Sequence, residues 1–210
     1  MTAGTDSRRR RGRPTNVSTD DTVAAVVTSA RRVFAAKGYA GTSNREIAAG
    51  AGLAHTAIYN HFGSKAQLFT AVFLDVQDVL VLELDRSVAA APGEPALPRA
   101  LFDALEVLRK ADPSYVGFLA SMYIEVSRTP ELQAIFAGGS STFSIVDRLA
   151  ELSAGAGAES GDSEQQLWFW IAFALGLAQL SALADAETFS ATLDAFRAQF
   201  SIDPSGSSPT

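Results

Sequence analysis

The stretch TSNREIAAGAGLAHTAIYNHFGSKAQLF, residues 42–69, contains two short segments of helical pattern separated by a glycine-containing turn. Ser43 and Ser64 are each followed three residues later by Glu or Gln, the spacing of a capping box, which predicts that a helix begins at each serine. The small residues 49–52 predict a turn, and a further short helix is predicted over residues 54–60. Two short helices that cross closely at such a turn, with another helix packed before them, are typical of a helix-turn-helix DNA reader.

The side chains that remain outward over residues 54–60 are short donors, acceptors and a methyl group, which suit base edges in a major groove: His55, Thr56, Ala57 and Asn60. Neighbouring polar and basic side chains are candidates for phosphate contacts, which fix register without reading sequence: Thr42, Ser43, Arg45, Tyr59, His61 and Lys65. His61 has a second interpretation, as a packing or capping imidazole where the fourth helix begins.

The same stretch resembles the DNA-binding segment of the TetR (tetracycline-repressor) family of bacterial transcription regulators. The matching positions are Thr42-Ser43, Ile47-Ala48, Ala51-Gly52-Leu53, Tyr59, His61-Phe62, Lys65 and Leu68. The resemblance implies an all-α fold of nine helices, in which a three-helix helix-turn-helix domain precedes a larger ligand-binding and dimerisation domain. It also implies that Tyr59 and Lys65 hold phosphates and that residues 55–57 face bases.

Two positions depart from the family pattern. Ala54 stands where the family usually has serine, which removes a cap worth about 1 kcal/mol. His55 stands where the family often has a basic or small residue, and a histidine side chain changes charge near neutral pH. Both departures bear on affinity and specificity rather than on the fold.

The charge distribution divides the chain in two. Residues 1–65 carry ten Lys/Arg against four Asp/Glu, whereas residues 66–210 carry seven against nineteen. This asymmetry suggests that the basic segment binds a polyanion and that the acidic segment has another function. We therefore expect a disordered basic arm over residues 1–16, a DNA-binding head over residues 17–65, a ligand-binding and dimerisation body over residues 66–200, and a disordered tail over residues 201–210.

The basic arm has two interpretations. The arginines of residues 8–13, Arg13 among them, could enter an adjacent minor groove, where arginine reads narrow A·T-rich stretches. Alternatively, they form a solvated charge run that adds only sequence-independent affinity.

Composition argues against several classes of protein. The chain has no cysteine, which excludes a disulfide framework and thiolate chemistry, and its only two histidines lie in the head. No carboxylate pair or Ser-Lys spacing stands out, so we expect no enzyme activity, no metal and no cofactor. No secretory signal is visible, and the apolar run over residues 167–178 is short of the roughly 20 residues that span a bilayer. These features predict a cytoplasmic protein without a membrane partner.

The body reads as further helices without a strand, and the pairs Asp112-Pro113 and Thr129-Pro130 predict two of the helix starts. The last two helices are the candidate homodimer interface, since the first of them is apolar on all sides. The predicted interface residues are Phe169, Ala172, Phe173, Gly176, Leu180, Leu183, Phe189, Leu193 and Phe196. The alternative is that these two helices pair only within one chain.

A small-molecule site in the body is implied by the resemblance. Its candidate residues, each of which could instead be ordinary core, are Phe102, Leu105, Phe118, Met122, Tyr123, Gln133, Phe136, Phe143 and Trp168. The leading hypothesis is a homodimeric repressor that binds a pseudo-palindromic DNA operator and leaves it when an apolar or aromatic effector binds. The alternative is a DNA-binding activator or architectural protein that has no small-molecule effector.

Overall fold

The computed structural model describes residues 19–90, 96–137, 144–154 and 163–199, which form ten α-helices and no strand. The helices are α1 Thr19–Lys37, α2 Asn44–Gly50, α3 Thr56–Phe62, α4 Lys65–Ala90, α5 Ala96–Ala111, α6 Ser114–Arg128, α7 Pro130–Ala137, α8 Ser144–Ala154, α9 Ser163–Leu183 and α10 Ala186–Gln199. The predicted all-α class is confirmed, with ten helices instead of nine. The arginines of residues 8–13, Phe143 and the tail over residues 201–210 lie outside the described residues.

Both predicted serine caps are present. The Ser43 hydroxyl accepts a hydrogen bond from the Glu46 backbone N–H at 3.2 Å, and the Ser64 hydroxyl accepts one from the Gln67 N–H at 3.1 Å. The reciprocal half of the first capping box is not formed, because the Glu46 carboxylate accepts a hydrogen bond from the Lys37 ammonium. That ion pair joins the end of α1 to α2.

The head is built on small and branched side chains that allow its helices to cross closely. Ile47 of α2 and Ile58 of α3 are fully buried in the same core as Phe34 of α1. Ser29 of α1 donates a buried hydrogen bond to the Ile47 carbonyl at 2.8 Å. The turn between α2 and α3 contains Gly52 at φ +70°, a left-handed conformation that favours glycine. These contacts fix which face of α3 points to solvent.

An aromatic cluster joins the head to the body. The Phe69 ring of α4 lies 5.1 Å from the Phe34 ring of α1 and 4.9 Å from the Phe118 ring of α6, measured between centroids. α4 has 26 residues, or about 39 Å at 1.5 Å per residue, and continues from this cluster into the body. The body packs α4 along α5, α6 along α9, and α8 against both α4 and α9.

Helix α9 is longer than the predicted apolar run. Its window Glu164–Leu183 has a mean hydropathy of 1.5 over 20 residues, and 28% of that window is buried within the chain. Among the described residues it is the one helix long and apolar enough to cross a membrane by length and composition. Core helices of soluble proteins meet the same criterion, so length and composition do not identify α9 as a membrane span.

Candidate nucleic-acid interface and effector cavity

Helix α3 begins two residues later than predicted. It spans Thr56–Phe62, and His55 before it already has helical dihedrals (φ −58°, ψ −25°) without a side-chain cap. The Ala57 N–H donates to the Ala54 carbonyl at 3.0 Å. Because alanine has no side-chain acceptor, the first turn of α3 lacks the cap that serine would supply at position 54.

The side chains predicted to read bases lie together on the solvent side of α3. Ile58 is buried and orients the helix, while His55, Thr56 and Asn60 are exposed and Ala57 is half-buried. The Tyr59 side chain, a predicted phosphate contact on the same helix, is 55% exposed. A surface of this kind presents short donors and acceptors on a convex helix that fits the width of a major groove.

The two imidazoles of the chain lie on the same short helix segment. Both are exposed, at the two ends of α3. The His61 ring lies edge-on to the half-buried Phe62 ring, with 6.4 Å between centroids. This position is compatible with both roles predicted for His61, packing at the junction with α4 and contact with a phosphate.

Lys65 has structural partners that the sequence did not indicate. Its ammonium donates to the carbonyls of Tyr39 at 2.8 Å and Thr42 at 3.0 Å and lies 4.2 Å from the centroid of the Tyr39 ring. Burial lowers the pKa of Lys65, although Glu131 and Glu125 oppose that shift. An ammonium has three N–H donors, so one donor remains for the predicted phosphate contact. In this structure Lys65 anchors the loop that precedes α2.

Thr42 does not fit the DNA contact predicted for it. Its side chain is buried, and its hydroxyl donates to the Gly38 carbonyl at 2.7 Å, which ties the end of α1 to the loop before α2. Ser43 is exposed but occupied as the cap of α2, and Arg45 is exposed. The outward phosphate candidates on α2 and α3 are therefore Arg45, Tyr59 and His61.

Most basic side chains of the described head are already paired within the molecule. Arg31 and Arg32 bind Asp112, and Lys37 binds Glu46. Within the described ranges, no hydrogen bond or ion pair engages the Arg45 guanidinium. Arg45 therefore supplies positive charge for phosphate contacts beside α3. Any further positive charge would have to come from the predicted basic arm.

A cluster around Arg31 was not predicted. The guanidinium is buried and donates to Ser114 Oγ at 2.9 Å, Asp75 Oδ2 at 3.2 Å and Asp112 Oδ2 at 3.1 Å, and it lies 3.4 Å from the centroid of the Tyr115 ring. Arg31 lies four residues after Val27 and three before Phe34, both buried, and this position on the buried face of α1 was the available signal.

The acid stability of the protein is expected to depend on Asp112. Burial opposes the charged form of Asp112, but hydrogen bonds from Ser114, Arg32 and Arg31 prevail and hold its pKa well below the ordinary value. A depressed folded-state pKa stabilises the fold above the unfolded-state value of about 3.9, and this contribution is lost as the pH falls below it. We expect Asp112→Asn to be less stable than the parent at pH 7 by about 3 kcal/mol. The difference should shrink by about 1 kcal/mol between pH 5 and pH 3.

Urea unfolding at pH 7, 5 and 3 measures this difference. Asp147→Asn, at an exposed position on α8, is the control and should follow the parent at each pH. A stability gap for Asp112→Asn that stays constant from pH 5 to pH 3 contradicts the assignment.

The body encloses a cavity of about 50 Å³ between α4, α5, α6, α8 and α9. Three of the nine predicted ligand residues, Leu105, Met122 and Tyr123, line it. The remaining lining residues are Phe73, Gln77, Leu80, Leu101, Leu119, Ile145, Val146, Leu149, Ile171, Ala174, Leu175 and Ala178. The volume holds only a few water molecules, so a larger ligand requires the cavity to widen.

Five of the other predicted ligand residues do not line this cavity. Phe102 packs against Phe173 and Phe196, Phe118 belongs to the aromatic cluster with Phe69, and Phe136 packs on the Phe73 ring at 5.0 Å. The Gln133 amide donates to the Ser127 carbonyl at 2.6 Å on the surface, and the Trp168 side chain is 61% exposed. Aromatic residues at helical spacing fill the core wherever space is available, and their spacing alone does not place them at a cavity.

Gln77 is a cavity residue that the sequence analysis missed. It is buried on α4, and with Tyr123 it forms the polar part of the lining. Burial raises the pKa of Tyr123, so its hydroxyl is neutral at physiological pH and can donate a hydrogen bond. Gln77 lies four residues after Phe73 and three before Leu80, both buried, and this interruption of an apolar stripe was the available signal.

Part of the predicted dimer surface is exposed. Phe169, Ala172, Gly176 and Leu183 lie on the solvent side of α9, and Leu183 is 85% exposed. Phe173 and Leu180 are half-buried beside them. A Cβ at Gly176 would have nothing within 4 Å, so a partner helix could approach the α9 backbone there.

The α10 residues of the predicted interface are largely covered by their own chain. Phe189 and Leu193 are buried within the chain, and Phe196 packs against Phe102 and Phe173. The apolar stripe of α10 faces α5 instead of solvent, because Arg197 of the same helix also bonds Asp103 and Glu106 of α5. The exposed side of α10 instead includes Ala191, Ala195 and Ala198.

Two short helices, the second facing outward, follow a longer helix and precede a larger all-helical body, which is the arrangement of helix-turn-helix regulators. Residues 26–72 match the family described as "Bacterial regulatory proteins, tetR family". The match makes the chain similar to this family over its helix-turn-helix and the start of α4. In the described residues, no group of three His, Cys, Asp or Glu side chains is placed to hold a metal ion.

Curated relatives are named as regulators of the same kind. The chain is 28% identical over 143 residues to the HTH-type transcriptional regulator EthR of Mycolicibacterium smegmatis, which covers 66% of this chain and 63% of that protein. It is 35% identical over 120 residues to the HTH-type transcriptional repressor Rv3405c of Mycobacterium tuberculosis, covering 56% of this chain and 61% of that one. The matches thus span a little under two thirds of the length of these relatives.

Solved structures share the fold over most of the chain. A transcriptional regulator from Rhodococcus sp. RHA1 aligns with a TM-score of 0.62 at 25% identity, covering 85% of this chain and 95% of that one. The fatty acid degradation regulator FadR from Bacillus halodurans aligns with a TM-score of 0.65 at 15% identity, covering 91% and 96%. At that identity the second alignment concerns the fold alone.

Proposed function

We propose that the protein is a homodimeric DNA-binding transcriptional repressor, released from its operator by an uncharged, apolar effector. The observation that carries the proposal is the solvent face of α3, where His55, Thr56 and Asn60 are exposed over the buried Ile58. The three-residue offset between Thr56 and Tyr59 places Tyr59 on the same side, within reach of the backbone beside a groove.

The exposed α9 surface supports a dimer. One α3 helix of seven residues spans about 10 Å and reads only a few base pairs, so two readers on one duplex are the usual solution. A symmetric dimer places two copies of α3 on half-sites about one helical turn apart, which requires a pseudo-palindromic operator. The apolar side of α9, with Phe169, Ala172 and Gly176, supplies a self-complementary surface for this pairing.

The composition of the cavity supports an uncharged effector. Its lining residues are apolar except for Gln77 and Tyr123, and none of them is charged. A ligand with one or two hydrogen-bonding groups on an apolar frame would match the composition of this lining. A ligand that binds better to a conformation with a wider cavity would shift the protein towards that conformation and away from DNA binding.

DNA binding is expected to depend on Arg45 and Tyr59. DNA obtained by in vitro selection with the intact protein provides the probe, and fluorescence anisotropy at two salt concentrations gives affinity and salt dependence. We expect Tyr59→Ala and Arg45→Ala each to weaken binding by about 10-fold or more, and Arg45→Ala to reduce the salt slope by about 2, because the dimer loses one phosphate contact in each copy.

Arg86→Ala is the matched control, because Arg86 is an exposed arginine on α4 whose partner is the nearby Glu83. It should leave both quantities unchanged. Failure of the intact protein to select any DNA sequence would overturn the proposal, and equal losses in all three variants would remove α3 from the interface.

Effector binding is tested by thermal unfolding with uncharged alcohols and aromatic esters of increasing size. A compound at 100 times its Kd should stabilise the protein by about 2.7 kcal/mol. Ala174→Leu fills space at the cavity and should abolish that stabilisation, whereas Val107→Leu, at an exposed position on α5, should preserve it. If no compound stabilises the protein while DNA binding is intact, the alternative of a regulator without an effector is favoured.

A further inference from the structure

The Arg31 cluster (Arg31, Asp75, Asp112, Ser114 and Tyr115) joins the head to two body helices. Arg31 is on α1, Asp75 is on α4, and Ser114 begins α6. The Arg31 side chain is only 4% exposed, and its guanidinium hydrogen-bonds three different side chains. A planar guanidinium with donors in fixed directions accepts only a narrow range of arrangements of such partners.

Asp112 connects this cluster to the start of α6. Its Oδ2 accepts hydrogen bonds from Arg31 Nη2 at 3.1 Å and Arg32 Nε at 3.0 Å. Its Oδ1 accepts the Ser114 N–H at 3.0 Å and so caps α6. One carboxylate therefore serves as the helix cap of a body element and as the ion-pair partner of two neighbouring arginines on the head.

Two further contacts hold α1 along α6. A Cβ built at Gly117 of α6 would lie 3.4 Å from the Ala35 Cβ of α1, so the two helices approach closely where α6 has no side chain. Beyond the end of α1, the Tyr39 hydroxyl donates to Glu131 Oε2 of α7 at 3.0 Å. Through these contacts α1 helps to fix the orientation of the head relative to the body.

We propose that Arg31 is a positioning residue that sets the angle between head and body and thereby the half-site spacing that the dimer accepts. The inference rests on the proposed function, because spacing has meaning only for a dimer that reads two half-sites. In that dimer the two bodies are joined through α9, so the separation of the two α3 helices depends on how each head is held on its own body. Arg31 acts on DNA only through this angle.

A purely stabilising role for Arg31 predicts a different result. It would lower the melting temperature of Arg31 variants without changing the mean or the spread of the head-to-body distance. The test therefore uses Arg31→Lys, which keeps the positive charge but loses the fork of donors, and Asp112→Asn. Asparagine keeps an acceptor for the Ser114 N–H but turns an amide N–H₂ towards the Arg31 guanidinium.

The first measurement is the head-to-body distance in the full chain. The chain has no cysteine, so cysteines introduced at Ala49 of α2 and Val107 of α5, both exposed, can be spin-labelled specifically. Dilution with unlabelled protein restricts pulsed dipolar spectroscopy to distances within one chain. We expect one narrow distance for the parent and for the control Arg86→Lys, and a broadened distribution for Arg31→Lys and Asp112→Asn. Equally narrow distributions in folded samples of both variants would overturn the proposal.

The second measurement is selectivity for spacing, with selected DNA whose half-sites are moved apart or together by 2 base pairs. That change rotates one half-site by about 70° and shifts it by about 7 Å. The parent and Arg86→Lys should lose about 100-fold in affinity, and Arg31→Lys should lose less than about 10-fold. Equal losses in parent and variant would overturn the proposal. If the parent selects no DNA, the proposed function fails, and the distance measurement alone decides whether Arg31 positions the head.

Discussion

Replacing Gly176 by arginine is expected to convert the protein into a folded monomer. A side chain at this position meets nothing within 4 Å in the single chain, so the fold can accommodate it. In the proposed dimer the same guanidinium would lie among Phe169, Ala172 and their copies, where an unpaired charge costs several kcal/mol. A cost of about 4 kcal/mol weakens dimerisation by roughly 10³-fold. Sedimentation equilibrium gives the association constant, and circular dichroism gives the helical content.

Leu82→Arg is the matched control for the dimer prediction. Leu82 is an exposed apolar residue on α4, so it also gains a charge on an apolar surface, but away from α9. We expect this variant to remain dimeric. If Gly176→Arg is a dimer with the parent's affinity, the interface lies elsewhere and the apolar side of α9 needs another partner. In that case, binding of the parent to lipid vesicles would be the next measurement, because α9 is long and apolar enough to enter a bilayer.

Replacing Phe118 by alanine is expected to destabilise the whole protein by about 3–5 kcal/mol. Phe118 is fully buried, and its ring lies 4.9 Å from Phe69 and 6.4 Å from Phe34, so the substitution leaves a cavity between α1, α4 and α6. For a chain of this length the loss corresponds to a fall in Tm of roughly 10 °C. Urea and thermal unfolding provide the measurement.

The Phe118 variant also tests the prediction that Phe118 binds a ligand. If Phe118 lined a ligand cavity, alanine would alter ligand affinity with a smaller loss of stability. Val107→Ala, at an exposed position on α5, is the control and should change stability by less than about 0.5 kcal/mol. A loss below about 1 kcal/mol for Phe118→Ala would contradict its place in the joint between head and body.

The pairing of basic residues has a consequence for DNA affinity. Arg31, Arg32, Lys37 and Lys65 are paired with groups of the same chain. Among the described basic residues of the head, Arg45 is the one without such a pairing, and it lies exposed beside α3. Each phosphate contact made by a basic side chain releases its own counterions. One copy of α3 with a single such contact therefore gains little DNA affinity in this way. Stable binding therefore depends on two readers in a dimer and on the arginines of residues 8–13, if these contact DNA as predicted.

The features that depend on neighbouring residues along the chain were predictable from the sequence. Ser43 and Ser64 cap their helices as their spacing indicated, and helices begin at Ser114 and Pro130, beside the predicted Asp-Pro and Thr-Pro pairs. The exposed side of α3 was also predictable, because a buried Ile58 at helical spacing leaves the residues around it outward. Each of these features rests on contacts within about one helical turn.

Only the tertiary structure decided which element covers each apolar stripe and which partner each polar group takes. Periodicity identified α10 as amphipathic, but only packing shows that Phe189 and Leu193 face the chain's own core instead of a second copy. In the same way, only packing shows that Phe118 lies between head and body and that Gln77 lines the cavity. Lys65 and Arg31 bind groups 23 to 83 residues away along the chain. The physical reason is that helical spacing defines the direction of a side chain relative to its own axis, whereas its neighbour depends on how the helices pack against one another.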